Sequence, residues 1–253
     1  MSALAQFLGL FVAAYAVNLV LYFGLGWGLV RLNHAHPERR LQANRDGEIR
    51  ARAEILESLQ SIAWTSACLA LALTISLNGW GLWPAESHGL LATAIALALL
   101  IIGYDTWFYW AHRALHLDAF YRFHAWHHKS VAPTPWSADS QGAVETVMIQ
   151  SFMVVATLVL PITPAALILH RLYDHINGQI GHSGHEWAGG PFTRFPSPMV
   201  AVRYHDVHHA RFRYNFGNYF SIWDRVMGTM DPNYDRAEDR TAHDRHRERP
   251  RDA

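Results

Sequence analysis

The chain has a single cysteine and no excess of charge of either sign. Of its 253 residues only Cys68 is a cysteine, so no disulfide can form within the chain and no cysteine set is present for an iron–sulfur cluster. Lys and Arg number 21, as do Asp and Glu, which leaves no basic surface for nucleic acid. No glycine fingerprint of a dinucleotide-binding fold is present either. These absences exclude nucleic-acid binding and a built-in source of electrons.

Long apolar runs dominate instead. Residues 3–30, 62–82, 90–103 and 147–169 are almost free of charge, and each approaches the ~20 residues with which a helix crosses a bilayer. The first run is too long for a signal peptide, and no Lys or Arg precedes Arg31. We therefore predict a multi-pass integral membrane protein: an all-α helical bundle of about four spans that begins with a membrane anchor.

Arginines mark one side of this predicted bundle. Six of them lie in the connection after the first run, namely Arg31, Arg39, Arg40, Arg45, Arg50 and Arg52. The connection at 78–89 has no Lys or Arg, so the positive-inside rule places the first connection in the cytoplasm. No proline interrupts the segment from about Leu90 to His116, which predicts one helix of ~40 Å whose last turns extend beyond the membrane on the cytoplasmic side.

The last apolar run contains Pro161 and Pro164, which interrupt helical hydrogen bonding. We predict that two arms meet there as a hairpin that enters the membrane and returns, because the second arm is too polar to face lipid. Both halves of the histidine-rich sequence then lie in one cytoplasmic cap. The predicted domain is 1–230, and residues 231–253 form a mixed-charge tail that we expect to be disordered.

Histidines carry the functional signal, since imidazole is the commonest metal ligand. The chain has 17 of them, and eight lie in "HRALH", "HAWHH" and "HDVHH". Residues three and four apart share a helix face, so we expect each of these boxes to present its imidazoles on one face. His175 and His182 form a further pair seven apart, followed by His185.

A lone histidine near a membrane surface is usually an interfacial or hydrogen-bonded residue, and a single pair could be either. Eight in three boxes favour metal binding. They exceed what one ion can use, because a tetrahedral ion takes four ligands and an octahedral ion six. We therefore predict two neighbouring metal ions, and the spacing alone leaves iron, zinc and copper open.

The three boxes, followed by "RYNFGNYFSIWDRVMGT", resemble the fatty acid hydroxylase and sterol desaturase superfamily of membrane-bound, histidine-rich di-iron oxygenases. The motifs occur in family order from Asp105 to Thr229. The resemblance implies a helical bundle with a cytoplasmic cap, two iron ions, and O2 as co-substrate for oxidation of a lipid C–H bond. It also implies the ligand set His112, His116, His124, His127, His128, His182, His205, His208 and His209.

Two departures leave the ligand count open. His185 stands where family members often have tyrosine, and "QGAVE" keeps Glu145 but lacks the histidine of a His-Pro-x-Glu element. His175 or His185 could then be an additional ligand. The resemblance also suggests that Asp105 orients a ligand imidazole, whereas a buried polar group held by water is an equal alternative. Asp224 in "WDR" could pair with a nearby arginine.

The predicted function is O2-dependent hydroxylation or desaturation of a sterol or fatty acyl lipid. Electrons would come from an external donor, either a cytochrome b5-like protein, a ferredoxin or a reductase. The alternatives are a zinc-dependent membrane hydrolase, for which the His-Glu-x-x-His motif is missing, and a haem- or metal-handling membrane protein. The substrate, the choice between hydroxylation and desaturation, and the oligomeric state stay open.

Overall fold

The chain folds into helices joined by short irregular segments. The computed structural model describes residues 2–42, 44–85 and 89–235, and no strand occurs among them beyond two isolated bridges. The helices are α1 (Ala3–Ala35), α2 (Ala51–Asn78), α3 (Leu90–Leu115), α4 (Tyr121–His124), α5 (Ala143–Val159), α6 (Pro164–Gly181), α7 (Val202–Arg211) and α8 (Ile222–Met227). The predicted all-α bundle is confirmed.

Three helical segments are long and apolar enough to cross a membrane: Ala3–Ala35, Glu48–Asn78 and Leu90–Leu115. Only 6% of the most apolar window of the first segment is buried, which is typical of a helix that faces lipid. The α2 segment, in contrast, is mostly buried and occupies the centre of the bundle. The residues that follow Arg50, at the end of the arginine-rich connection, form the first turns of α2.

The proline-rich break lies where the sequence predicts it. α5 ends at Val159, and α6 begins at Pro164, where the missing N–H costs nothing because the first turn of a helix leaves its N–H groups unpaired. The Thr163 side chain caps α6 by accepting a hydrogen bond from the N–H of Ala166 at 3.2 Å. Both arms pack against α2 and α3, so the polar face of α6 is covered by protein.

α3 is continuous to Leu115, with His116 at its C-terminal cap, as predicted. Buried apolar residues of α3, α5 and α6 form the main core below this end, including Leu100, Ile149, Met153 and Leu167. The histidine-bearing ends of these helices meet the cap segments 116–142 and 182–235. The core therefore fixes the helix ends from which several of the predicted ligands project.

The cap is organised around Asp224, which is fully buried. Its carboxylate accepts hydrogen bonds from the Tyr204 hydroxyl, the Thr229 hydroxyl at 2.6 Å and the N–H of Gly217 at 2.7 Å. The expected pairing of Asp224 with an arginine is therefore wrong, because these donors already satisfy the carboxylate. Arg225 pairs with Asp235 instead.

The first residues of the predicted tail belong to the cap. Asp231 and Tyr234 are buried, and the Tyr234 hydroxyl accepts a hydrogen bond from the N–H of Ala201 at 2.9 Å. These contacts move the folded boundary from residue 230 to at least Asp235. The remainder of the predicted tail lies outside the described residues.

Candidate metal centre

All nine histidines of the predicted ligand set converge in the cap, in two groups. The five-histidine group consists of His112, His116, His124, His128 and His208, and the four-histidine group consists of His127, His182, His205 and His209. Within each group, one ring nitrogen from every imidazole lies within 4.8 Å of all the others. The structure thus brings the predicted residues into two clusters, each of a size that one metal ion can use.

Both His-x-x-His-His boxes divide between the two groups. In α7, His208 joins the five-histidine group, whereas His205 and His209 join the four-histidine group. The expectation that each box presents its imidazoles on one face is therefore wrong for these two boxes, whereas His112 and His116 of the first box do share a group. Consecutive helical residues point about 100° apart, so adjacent histidines cannot face one ion. The second box divides in the same pattern: His124 and His128, four residues apart, join the five-histidine group, and His127 joins the four-histidine group.

The Nε2 atoms within each group point at one another. In the five-histidine group, His112 to His124, His116 to His128 and His128 to His208 are each separated by 3.1 Å. In the four-histidine group the separations are 2.9 Å for His182 to His205, 3.0 Å for His205 to His209 and 3.4 Å for His127 to His182. If each nitrogen lay about 2.0–2.1 Å from one ion, these separations would correspond to N–metal–N angles of roughly 90–110°. Octahedral and tetrahedral sites have angles in this range.

The Nδ1 atoms of six of these imidazoles point away from the groups and are hydrogen-bonded. His124 donates to the carboxylate of Glu145. The other five donate to backbone carbonyl oxygens: His112 to Phe216, His127 to Ser140, His182 to Gly178, His208 to Tyr214 and His209 to Ser130. A carbonyl can only accept, so Nδ1 carries the proton and Nε2 presents a lone pair. This is the arrangement in which metal-binding histidines are usually held.

One consequence concerns His127 and His182. Both donate through Nδ1 to a carbonyl, at 3.2 and 2.8 Å, so two Nε2 lone pairs face each other at 3.4 Å. Neutral rings cannot hydrogen-bond in that arrangement, whereas a shared cation satisfies both lone pairs. The donor set therefore fits a metal ion on its chemistry as well as its geometry.

Burial keeps these imidazoles neutral. Desolvation lowers the pKa of His127 to about 4, and desolvation together with the neighbouring His127 lowers the pKa of His182 to about 3. The pKa of His116 falls to about 4 for the same two reasons. The pKa values of His205 and His209 are also held well below the usual range, first by burial and then by neighbouring imidazoles. At neutral pH the rings can therefore bind a metal without first losing a proton.

The other predicted residues lie outside both groups. His175 accepts a hydrogen bond at Nδ1 from Arg171 at 2.9 Å, and His185 donates from Nδ1 to the Ser183 carbonyl at 3.3 Å. Asp105 contacts backbone rather than an imidazole: it accepts from the N–H groups of Tyr219 and Phe220 at 2.8 and 3.0 Å. This differs from the expectation that Asp105 orients a ligand imidazole directly, because the N–H groups of residues 219 and 220 occupy its Oδ1.

Glu145 makes the contact expected of Asp105. Its Oε1 lies 2.8 Å from His124 Nδ1, and the side chain is fully buried. The preserved glutamate of "QGAVE" was the signal that could have identified it. Sequence reasoning also missed a buried polar cluster around Arg171 and Asp174, for which the signal was the presence of charged residues within an otherwise apolar helical hairpin.

A cavity connects the histidine groups with this polar cluster. Its lining at one end consists of His112, His124, His127, His182 and His205, so both groups border it. Its walls come from α3, α5 and α6 and include Phe108 and Ile149. A molecule within this cavity would therefore have access to both histidine groups.

Several known proteins that are similar to this chain have names that describe oxidation of sterols or sphinganine. The chain is 28% identical over 234 residues to the Delta(7)-sterol 5(6)-desaturase erg3B of Aspergillus fumigatus, covering 89% of this chain and 66% of that protein. It is 27% identical to a cholesterol 25-hydroxylase-like protein of Danio rerio over 69% of this chain and 76% of that protein. It is 33% identical to sphinganine C4-monooxygenase 2 of Arabidopsis thaliana over 56% of each chain.

No solved structure matches the chain. The family model described as fatty acid hydroxylase matches residues 97–229, a stretch that includes both histidine groups. Since that match covers more than half of the protein and agrees with the motifs from Asp105 to Thr229, the chain belongs to the fatty acid hydroxylase family.

Proposed function

We propose that the protein is a membrane-bound oxidoreductase that uses O2 to hydroxylate or desaturate a lipid of sterol or fatty acyl type. The observation that carries the proposal is the pair of histidine groups, in which the Nε2 atoms of nine imidazoles converge; seven of these residues are buried, and His116 and His205 are partly buried. Family membership supports the oxidative chemistry, as do the names of the sterol and sphinganine enzymes that the chain resembles. These names favour an oxidoreductase over a zinc hydrolase.

The residues fit two metal ions, which we propose to be iron. When bound, two iron ions supply O2 activation and removal of hydrogen from an unactivated C–H bond. His112, His116, His124, His128 and His208 would hold one ion, and His127, His182, His205 and His209 the other. The four-histidine group is the less saturated, and three of its members line the cavity.

The surrounding residues hold these imidazoles in position. The Phe216 carbonyl accepts the His112 Nδ1 proton at 2.9 Å, and Asp224 fixes the same backbone by accepting from the Phe216 N–H at 3.0 Å. Asp105 anchors the segment further along, at Tyr219 and Phe220. We therefore propose that Asp105 and Asp224 act on metal binding indirectly, by fixing a backbone segment that orients His112.

Electrons would come from a separate protein, because the sequence has neither a cysteine set nor a dinucleotide fingerprint. A cytochrome b5-like protein, a ferredoxin or a reductase would serve. The arginine-rich connection between α1 and α2 supports placing the cap, and hence the donor, on the cytoplasmic side.

Metal analysis of the purified protein, combined with lipid profiling of cells with and without it, tests the function. We expect two iron ions per chain and an oxidised lipid that requires O2 and the intact gene. His127→Ala should reduce iron content and abolish the product, while His36→Ala should change neither, since His36 lies on the surface beside Glu38. Zinc as the sole metal, with no O2 consumption and no altered lipid, would overturn the proposal.

A further inference from the structure

Two carboxylates lie on the first turns of α2, outside both histidine groups. Glu54 is fully buried, and the side chain of Glu57 is only 14% exposed. Residues three apart share a helix face, so both carboxylates project from the same side of α2. Arg50 compensates their charge, with Nε 3.9 Å from Glu54 and an η nitrogen 3.7 Å from Glu57. Replacing buried charges by apolar residues is often neutral or stabilising, so stability alone does not account for this network.

Each carboxylate accepts a hydrogen bond from a serine of the cap. The Ser130 hydroxyl donates to Oε1 of Glu54 at 2.5 Å, and the Thr134 hydroxyl donates to Oε2 of the same side chain at 3.0 Å. The Ser140 hydroxyl donates to Glu57. Carboxylates are strong acceptors, so these contacts tie the backbone at both serines to α2.

The same two serines contact histidines through their carbonyl groups. His209 Nδ1 donates to the Ser130 carbonyl at 3.0 Å, and His127 Nδ1 donates to the Ser140 carbonyl at 3.2 Å. Each serine therefore has two roles: its hydroxyl is held by α2, and its carbonyl sets the tautomer and the orientation of an imidazole.

Both of these imidazoles belong to the four-histidine group. The Nδ1 acceptors described for the five-histidine group lie elsewhere in the chain, at Phe216, Glu145 and Tyr214. The two chains of contacts that begin on α2 therefore end at the same group.

We propose that Glu54 and Glu57 are positioning residues that set the metal affinity of the four-histidine group. Glu54 acts through Ser130, whose carbonyl accepts the Nδ1 proton of a ligand. Glu57 acts in the same way through Ser140. The inference rests on the metal centre of the proposed function, but it requires neither iron nor O2. It implies that one ion can be weakened from α2 while the other is retained.

Titration of the whole metal-free chain with Zn²⁺ in lipid nanodiscs tests the inference. Zn²⁺ binds imidazole nitrogen and has no redox chemistry, so the measurement needs no turnover. Competition with a chelator gives the affinity of each of the two ions. Ser130→Ala and Ser140→Ala keep the carbonyls and remove only the link to α2. Each should weaken one ion about tenfold, the lower end of the effect of groups that orient ligands, and leave the other unchanged.

Ser58→Ala is the matched control. Ser58 is a buried serine on the same helix, and its hydroxyl donates to the Trp136 carbonyl at 3.2 Å. That carbonyl keeps the Tyr22 hydroxyl as a donor at 2.8 Å, so this variant should bind both ions as the wild type does. Wild-type affinity for both ions in Ser130→Ala and Ser140→Ala would overturn the inference, and equal weakening of both ions would do so too.

A second background assigns the effect to one group. His209→Ala removes a ligand of the four-histidine group, so the ion that remains should be held by the five-histidine group. In this background Ser140→Ala should leave the remaining ion unchanged, whereas Glu145→Ala should weaken it, because Glu145 contacts His124. A general loosening of the cap would weaken the remaining ion in both variants. Weakening by Ser140→Ala would therefore refute a positioning role.

Two substitutions test a carboxylate itself. Glu57→Gln keeps an oxygen that can accept from the Ser140 hydroxyl, whereas Glu57→Ala keeps none. We expect Glu57→Ala to weaken the same ion as Ser140→Ala, and Glu57→Gln to retain most of the wild-type affinity. Equal weakening by the two substitutions would contradict an action through the serine hydroxyl.

The outcomes separate this inference from the proposed function. A protein that oxidises a lipid with two iron ions, but keeps both Zn²⁺ affinities in the serine variants, would refute only the positioning role. A protein in which these variants weaken one ion selectively, but which contains only zinc and yields no oxidised lipid, would contradict the oxygenase function and leave the positioning role intact.

Discussion

His124 Nδ1 lies 2.8 Å from Glu145 Oε1, and both side chains are shielded from solvent. Glu145 begins the first turn of α5, so this pair links the second histidine box directly to the membrane bundle. A carboxylate at this position fixes the ring and makes its Nε2 a stronger ligand.

Replacing this carboxylate should weaken metal binding. We expect Glu145→Ala to reduce metal affinity roughly 10- to 100-fold, and Glu145→Gln to reduce it less because its amide oxygen can still accept from Nδ1. Chelator competition monitored by metal content measures the effect. Glu38→Gln, at the surface, is the matched control. Unchanged affinity in Glu145→Ala would show that the pair does not orient a ligand.

Adjacent histidines should have separable effects on stoichiometry. Since His208 belongs to the five-histidine group and His209 to the four-histidine group, each alanine variant should deplete a different ion. We expect His209→Ala to reduce the metal content from two towards one per chain, and His208→Ala to cause a smaller loss because four imidazoles remain in its group. Metal content per chain by elemental analysis decides. Equal loss of both ions in both variants would contradict the division.

Acid should destabilise the metal-free fold. His127 and His182 have folded pKa values of about 4 and about 3, below the ~6.5 of an unfolded histidine. Above pH ~6.5 both states are neutral and these groups add no pH dependence; below it the unfolded state binds protons first, so stability falls as the pH drops towards the folded values. Thermal unfolding of chelator-treated protein from pH 7 to 4 should show a decreasing midpoint. A flat profile would contradict burial of neutral imidazoles.

Asp105 should matter for stability although it contacts no imidazole. Asp105→Ala leaves the N–H groups of Tyr219 and Phe220 without their acceptor, which should cost about 1–3 kcal/mol. The thermal midpoint should decrease, and metal affinity should decrease with it because the segment also orients His112. Ser151→Ala is the control, since Ser151 bonds only within its own helix. Loss of affinity without loss of stability would indicate a direct role.

The spans and the histidine boxes were predictable because both follow from local pattern. The length and apolarity of Ala3–Ala35 and Leu90–Leu115 fix those helices, and Pro161 and Pro164 fix the break after α5. The arginine-rich connection after the first apolar run could also be recognised directly from the sequence.

The grouping of the ligands was not predictable, because it depends on tertiary contacts. In both His-x-x-His-His boxes the pair four residues apart shares a group, His124 with His128 and His205 with His209, and the spacing alone does not say whether that pair or the pair three apart would do so. Likewise, the partner of Asp105 is backbone more than 100 residues away, at Tyr219, and no spacing rule reveals such a pairing. The buried polar cluster around Arg171 and Asp174 is likewise assembled from distant parts of the chain, since Asp139 and Tyr219 contribute to it.

The division of both His-x-x-His-His boxes between the two groups has a consequence for the distance between these groups. His127 and His128 are joined by one peptide bond, as are His208 and His209, and each pair reaches one member into each group. Neighbouring Cα atoms are separated by 3.8 Å whatever the helices around them do. Two peptide bonds therefore tie the two histidine groups together, which limits how far the groups can separate when the membrane helices bend or slide.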